Sequence, residues 1–272
     1  MLRAPLCAAP VTGPRQRGEA YTRGMPAPEP VLVWFARPDI VLGGADAAPP
    51  AILDEADRAH LQRFRFPRDR DIATASRWLQ RFALAQAVAT PGAAAALRFG
   101  PDEHGRPWVR SPPSLAAWHF SAANTHGLVA CAVDPRGPIG LDVESVGRAL
   151  APELVAHCCT DDEQRDLAAL PPASQPAAFH ALWTRKEAYM KARGLGLALE
   201  PHRIGFAAPV DGRWRVLLDG STARAGDWEV IDLPAGGTHA AALCLPTAWS
   251  ATSRIAWVEH RHDTLTGAPG KD

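Results

Sequence analysis

The sequence has no excess of either charge, because 29 lysines and arginines are balanced by 29 aspartates and glutamates. Without a global basic field the chain is not expected to bind nucleic acid, so an anionic ligand must be held by a local group of cations. No apolar run approaches the roughly 20 residues of a membrane span, and we expect no membrane association. Five cysteines without CxxC spacing favour reduced thiols and a cytoplasmic protein.

Apolar sequence is abundant, at 47% of the 272 residues, which is enough for one large or two smaller cores. Residues 1–30 are rich in proline, glycine, alanine and arginine without periodicity, so we expect a disordered leader there, with Met25 as an alternative start. We then expect an N-terminal subdomain over 31–137, a C-terminal subdomain over 138–250 and a tail over 251–272.

The spacing of apolar residues predicts a mixture of helices and strands, that is, an α+β fold. Helices are predicted over 54–66, 69–88, 160–170 and 176–193. Strands are predicted over 31–35, 118–120, 128–133, 139–143, 214–218, 228–231 and 240–245. The opening of the third helix, Thr160-Asp161-Asp162-Glu163, matches a capping box, and Gly194 is a typical C-terminal cap for the fourth.

A weak internal repeat links the two halves of the chain. A Thr-His pair occurs six residues before Cys131 and again six residues before Cys244, inside similar runs of small apolar residues. Two related halves would explain the repeat, although alanine-rich runs also match one another by chance.

The segment 138–144, which includes the strand predicted over 139–143, carries two carboxylates on one face. Strand alternation directs Gly140, Asp142 and Glu144 to the face opposite Ile139 and Leu141. Two carboxylates about 7 Å apart repel each other unless they are solvated or bridged, and Mg²⁺ is a common bridge. A half-exposed strand with a solvated acidic edge explains this segment equally well on its own.

In the helix predicted at 176–193, Trp183, Glu187 and Lys191 follow one another at intervals of four and share one stripe. An ordinary surface pair between Glu187 and Lys191 is the simpler explanation. However, a third carboxylate added to the strand pair would complete a Mg²⁺ site, and Lys186 and Lys191 would neutralise phosphate charge beside it.

Together the two segments resemble the signatures G-[IV]-D-[IV]-E and W-[ST]-x-K-E-[AS]-x-x-K of the Sfp-type 4′-phosphopantetheinyl transferases. Gly105-Arg106-Pro107 also resembles the family's G-[KR]-P. The resemblance implies a pseudo-twofold monomer of two similar subdomains with the active site between them. It also implies Mg²⁺-dependent transfer of the 4′-phosphopantetheine moiety of coenzyme A to a serine of an acyl- or peptidyl-carrier protein, with release of 3′,5′-ADP.

The resemblance also implies roles for single residues. Asp142, Glu144 and Glu187 would hold Mg²⁺ together with the diphosphate of coenzyme A. Glu187 would deprotonate the carrier serine, directly or through a water. Lys186 and Lys191 would bind phosphates, and Lys191 would stabilise the leaving group.

The sequence departs from the family where coenzyme A is expected to bind. The segment Ser121-Ala122-Ala123-Asn124 replaces the usual Asn-x-Ser-His, so Asn124, followed by Thr125, stands where a phosphate-binding histidine is expected. Arg68 and Arg70 are candidates to supply the missing positive charge. Two alternatives to a transferase therefore remain: a non-catalytic protein that binds coenzyme A or a nucleotide, and a Mg²⁺-dependent hydrolase of another phosphoanhydride.

Overall fold

The structure is a computed structural model that describes residues 31–43, 52–88, 93–101, 107–147, 150–249 and 255–259. In the last of these ranges it describes the backbone and strand pairing alone. The leader expected over 1–30 lies outside the described residues, and so do Gly105 and Arg106 of the G-R-P segment.

The chain contains both helices and strands, and the fold class predicted from the sequence is confirmed. The first half contains β1 (Val31–Ala36), α1 (Pro38–Leu42), α2 (Glu55–Leu61), α3 (Pro67–Val88), α4 (Ala93–Ala96), β2 (Arg98–Pro101), β3 (Pro107–Ser111), β4 (His119–Thr125) and β5 (Leu128–Asp134). The second half contains β6 (Gly140–Ser145), α5 (Pro152–Cys158), α6 (Asp161–Ala168), α7 (Gln175–Arg193), β7 (Ile204–Phe206), β8 (Arg213–Leu218), α8 (Thr222–Ala225), β9 (Trp228–Leu233), β10 (His239–Pro246) and β11 (Ile255–Glu259).

The ends of three helices show how local sequence sets the boundaries. Thr160 and Glu163 form both hydrogen bonds of the predicted capping box at the start of α6. Helix α7 ends at Gly194, whose φ of 66° is in the left-handed region that glycine tolerates. The helix predicted over 54–66 is shorter than expected and ends at Leu61, while Pro67 begins α3, since proline is tolerated in the first turn of a helix.

Two main sheets lie at the centre of the molecule. One has the strand order β11-β1-β5-β4 and the other has the order β6-β10-β9-β8-β7, while β2 and β3 form a separate hairpin. Only the pairing of β1 with β11 is parallel among the described strands. Strand β11 falls within the tail expected over 251–272, so part of that segment belongs to the first sheet.

The two main sheets pack face to face and a long helix covers the outer face of each. Side chains such as Val33, Phe35, Leu141 and Leu243 are buried in the shared core between the sheets. Helix α3 packs on the first sheet through a second core, and α7 packs on the second sheet through a third. None of the helices in the described part of the chain is both long and apolar enough to cross a membrane.

The halves repeat one topology, in which a strand is followed by a long helix and then by a hairpin. Strand β1 pairs antiparallel with β5 of the hairpin β4–β5, and β6 pairs in the same way with β10 of the hairpin β9–β10. Cys131 lies in β5 and Cys244 in β10, so the weak sequence repeat falls on equivalent strands. The subdomain limits given from the sequence remain predictions.

Candidate active site

Strand β6 and helix α7 approach each other closely at Gly140. A Cβ atom at this position would collide with the carbonyl oxygen of Ala188 and would lie 2.5 Å from the backbone nitrogen of Ala192. Ile139 and Leu141 point instead into the core between the sheets. The alternation predicted for this strand is therefore correct: one face packs on the neighbouring sheet and the other faces α7.

Asp142 is buried beneath α7 and is joined to it by an ion pair. Its Oδ1 accepts a hydrogen bond of 2.7 Å from Nζ of Lys191, whereas its Oδ2 is buried without any hydrogen-bond partner. Burial raises the pKa of Asp142 above its ordinary value, although the positive charge of Lys191 opposes this shift. The carboxylate therefore has one oxygen still available for a cation.

Glu144 and Glu187 lie close enough to Asp142 to feel its charge. Burial, and after it the charge of Asp142, raises the pKa of Glu144 to about 7. Burial followed by the charge of Asp142 also raises the pKa of Glu187, which Lys191 partly offsets. The structure thus brings the three predicted metal ligands into one electrostatic group, in which each negative charge disfavours the others.

Trp183 has a more direct part in this group than the sequence predicted. It is half-buried and packs against two of the apolar clusters. A hydrogen bond between its side chain and Glu144 lowers the pKa of that carboxyl, against the larger effect of burial. Trp183 therefore orients Glu144 as well as supporting α7.

The chemistry of these side chains fits a magnesium ion that is held by few protein ligands. Among the described residues, no group of three or more His, Cys, Asp or Glu side chains is arranged so that it could already hold a metal ion. Mg²⁺ usually takes one or two carboxylates and completes its shell with water and substrate phosphates. The unpartnered Oδ2 of Asp142 and the coupled carboxyl groups meet that requirement.

Lys186 does not face this site, and its predicted contact with phosphate needs correction. The side chain is fully buried. Its Nζ donates to Glu163 Oε2 at 2.5 Å, to the carbonyl of Cys158 at 2.8 Å and to the carbonyl of Pro201 at 3.0 Å. An ammonium group has three N–H donors, so none is left for a phosphate.

A cleft of about 330 Å³ opens between the two halves beside Lys191. Asn124 lines it from β4, and Lys191 lines it from α7. Ser76 and Gln80 of α3 also line it, and the sequence gave no reason to select them. Thr125, the other predicted binding residue of this segment, is half-buried at the end of β4. The polar side chains that the first half contributes to the cleft are therefore neutral.

The predicted arginines of α3 lie outside this cleft. Arg68 and Arg70 are exposed in the first turns of the helix, and Arg70 donates to the carbonyl of Phe64 at 2.9 Å. Ser76 is eight residues after Arg68, about 12 Å along a helix axis. The structure therefore does not bring either arginine together with Lys191, and their role remains a prediction.

Two further contacts escaped the sequence analysis. Oγ of the buried Ser121 accepts a hydrogen bond of 2.9 Å from the backbone nitrogen of Leu141, which joins β4 to β6. Arg185 forms two hydrogen bonds of 2.7 Å to Asp232 of β9. Each partner is 20 or more residues away along the chain, so no local pattern reveals it.

Asp232 and Asp142 lie on either side of Ala242 in neighbouring strands. Since Arg185 binds one aspartate and Lys191 the other, two ion pairs fix α7 across the sheet.

A larger cleft, of about 840 Å³, lies between α6 and the hairpin β7–β8, and none of the predicted site residues lines it.

Comparison with known proteins finds its family match in the region that contains β6 and α7. A family model described as the 4′-phosphopantetheinyl transferase superfamily matches residues 138–244. A 4′-phosphopantetheinyl transferase of Bacillus subtilis is 31% identical over 124 residues, which are 46% of this chain and 53% of the relative.

Two other relatives match over longer segments. The L-aminoadipate-semialdehyde dehydrogenase-phosphopantetheinyl transferase of Eremothecium gossypii is 34% identical over 54% of this chain and 53% of its own length. The 4′-phosphopantetheinyl transferase HetI of Nostoc is 30% identical over 54% of this chain and 62% of its own length. The chain thus spans little more than half the length of the curated relatives it matches. The resemblance stated from the two motifs is confirmed.

Proposed function

We propose that this chain, whose residues 138–244 match the family model of the 4′-phosphopantetheinyl transferase superfamily, transfers the 4′-phosphopantetheine moiety of coenzyme A to a serine of an acyl- or peptidyl-carrier protein. The observation that carries the proposal is the group formed by the buried Asp142 and the half-buried Glu144 and Glu187 beside Lys191, in the matched part of the chain. Coenzyme A and the carrier protein are the proposed partners, and we propose a cytoplasmic monomer.

In the proposed reaction, the serine oxygen attacks the phosphorus atom next to the pantetheine arm. A new bond forms between this oxygen and phosphorus, the phosphoanhydride bond breaks, and 3′,5′-ADP leaves with the bonding electrons. Glu187 accepts the serine proton, directly or through a water. Burial and the charge of Asp142 raise the pKa of Glu187, which makes it a stronger base than an ordinary glutamate.

Lys191 would act on the diphosphate. It lines the cleft and donates to Asp142, so one side chain can contact both the acidic group and a bound phosphate. Asp142, Glu144 and Glu187 would hold Mg²⁺. When bound, Mg²⁺ would neutralise the charge that develops on the diphosphate oxygens. Asn124 would offer the substrate a neutral hydrogen bond from the opposite wall.

The proposal is tested by intact-mass spectrometry of several carrier proteins incubated with coenzyme A and Mg²⁺. We expect a mass increase of one phosphopantetheine group on at least one carrier and none in the presence of a chelator. Asp142→Ala and Glu187→Gln should each lower kcat/KM by at least about 100-fold, as the loss of a strong electrostatic or acid–base contact does. Glu153→Gln, on the exposed surface of α5, is the matched control and should leave the rate unchanged.

Each alternative has its own outcome in this experiment. Binding of coenzyme A without modification of any carrier would favour a non-catalytic binding protein. Release of a cleavage product without a carrier would favour a hydrolase. Normal transfer in the presence of the chelator would remove the metal from the proposed mechanism.

A further inference from the structure

The surroundings of Lys186 are those of a structural anchor. Its ammonium group donates to Glu163 Oε2 and to the carbonyls of Cys158 and Pro201, with distances between 2.5 and 3.0 Å. Glu163 Oε2 also accepts the backbone N–H of Thr160 at 2.8 Å. One lysine therefore ties α7 to the end of α5, to the start of α6 and to the turn before β7.

This anchor lies directly beside the proposed base in sequence but on a different side of the helix. Successive residues of an α-helix are separated by about 100° of rotation, since one turn contains 3.6 residues. Lys186 points toward α5 and α6, whereas Glu187 and Lys191 lie near Asp142 of β6. A rotation of α7 about its axis would move all three side chains together.

The buried ion pair between Lys186 and Glu163 fixes the rotational position of α7 about its axis. Both groups are buried and each is satisfied by several hydrogen bonds. Removing one partner of a buried ion pair leaves an uncompensated charge, which is strongly unfavourable. Helix orientations that separate Lys186 from Glu163 are therefore excluded, and Glu187 is held in one direction.

We infer that Lys186, together with Glu163, is a positioning residue that fixes the orientation of Glu187 and Lys191 and does not contact the substrate. This inference rests on the proposed function for the roles of Glu187 and Lys191. It predicts that loss of the anchor impairs the chemical step while the affinity for coenzyme A is retained.

The test compares Lys186→Met, Glu163→Gln and the double variant, using kcat, the dissociation constant of coenzyme A and amide hydrogen exchange in α7. We expect each single variant to lower kcat by at least about tenfold, since small misplacements of a reacting group reduce rates strongly. The dissociation constant should stay within about twofold, and exchange near Glu187 should become faster. The double variant should be no slower than the slower single variant, because both changes remove the same anchor.

Two control variants separate this inference from simpler explanations. Lys191→Met should weaken the binding of coenzyme A, as expected for a phosphate contact. Arg81→Met removes a cation from α3 that is equally buried and that pairs with Asp57 and Asp54. It should lower the free energy of unfolding but leave kcat unchanged, because the partners of Arg81 all lie in the first half of the chain.

Three results would overturn the inference. The first is weaker binding of coenzyme A in Lys186→Met but not in Glu163→Gln, which would make Lys186 a phosphate ligand. The second is loss of stability with unchanged kcat, as in Arg81→Met. The third is unchanged hydrogen exchange near Glu187. If wild type modifies no carrier, the proposed function fails by itself, and the exchange data still decide whether Lys186 orients α7.

Discussion

The two halves of the molecule share a topology but differ where the long helix meets its sheet. Cys131 pairs with Trp34 in the first half, and Cys244, its counterpart, pairs with Gly140 in the second. Trp34 fills the space beneath α3 with a large buried side chain. Gly140 leaves that space to the backbone of α7.

The same register places Ala36 of the first half at the position that Asp142 has in the second. The first half is therefore apolar at the point where the second half has its acidic group. Its long helix also carries a buried cation, Arg81, but this residue is neutralised by Asp54 and Asp57 within the same half. One topology thus carries an apolar surface in one half and an acidic group in the other, according to a few residues on a single strand.

The largest expected effect concerns two tryptophans, one in each half. Trp34→Ala should lower the free energy of unfolding by about 3–5 kcal/mol, as other truncations of large core residues do, while kcat/KM of the folded fraction stays unchanged. Trp183→Phe retains most of the packing but removes the hydrogen bond to Glu144, so kcat/KM should fall with little change in stability. Urea unfolding and carrier modification measure the two quantities. Equal losses of activity in both variants would show that the halves are not functionally distinct.

Gly140→Ala should remove the close approach that distinguishes the second half. The added methyl group meets the backbone of Ala188 and Ala192, so α7 must shift. We expect the free energy of unfolding to fall by about 1–3 kcal/mol, which is typical of overpacking, and most of the activity to be lost. Gly205→Ala in β7 is the control, because its Cβ would have only an ordinary contact of 3.8 Å with Thr160. Normal activity in Gly140→Ala would mean that the distance between β6 and α7 is not critical.

The raised pKa of Glu144 predicts that the second half is sensitive to pH in metal-free buffer. Its ordinary pKa is 4.5 and its pKa in the folded protein is about 7, so the folded chain retains a proton that the unfolded chain has lost between these values. The free energy of unfolding should therefore decrease as the pH rises from about 4.5 to about 7.

Glu144→Gln should remove this dependence. Since Glu144 is partly exposed, we expect the variant to be more stable than wild type at pH 8 by about 1–2 kcal/mol, after allowance for solvent screening. At pH 4 the two proteins should differ little. Urea unfolding at both pH values, with a chelator present, measures the difference, and parallel pH profiles would contradict the assigned pKa.

The smallest effect on activity is expected from Asn124, which the first half contributes to the lining of the cleft beside Lys191. Asn124→Ala removes one neutral hydrogen-bonding group, which corresponds to a rise of about 2- to 10-fold in KM for coenzyme A with kcat unchanged. Steady-state kinetics with saturating carrier measures this change. A fall in kcat would instead place Asn124 among the groups that act on the reacting phosphate.

Sequence patterns predicted the acidic group well because its residues follow regular periods. The alternation in β6 and the four-residue spacing in α7 gave the faces of Asp142, Glu144, Glu187 and Lys191 correctly. The direction of Lys186 was missed, since its charge suggested a solvent-facing or ligand-binding side chain. Its main partner, Glu163, is 23 residues away, and nothing in the local spacing joins the two.

Gly140 is a second case in which local sequence does not reveal a tertiary contact. The alternation in β6 placed Gly140 on the same face as Asp142. It did not predict that the backbone of α7 would pack directly against Gly140. The cleft residues Ser76 and Gln80 were missed because neutral side chains on a helix carry no signal by themselves. Sequence periodicity thus predicts which residues share a face of a helix or strand, whereas the tertiary fold determines what packs against that face.

Strand β11 has a consequence for how the protein is made. It completes the first sheet by pairing with β1, yet it is synthesised after the whole second half. An emerging chain therefore presents the unpaired edge of β1 until late in translation, and such edges invite pairing with other chains. Assembly of the first sheet thus depends on a contact that spans more than 200 residues, the kind of distant pairing that slows folding.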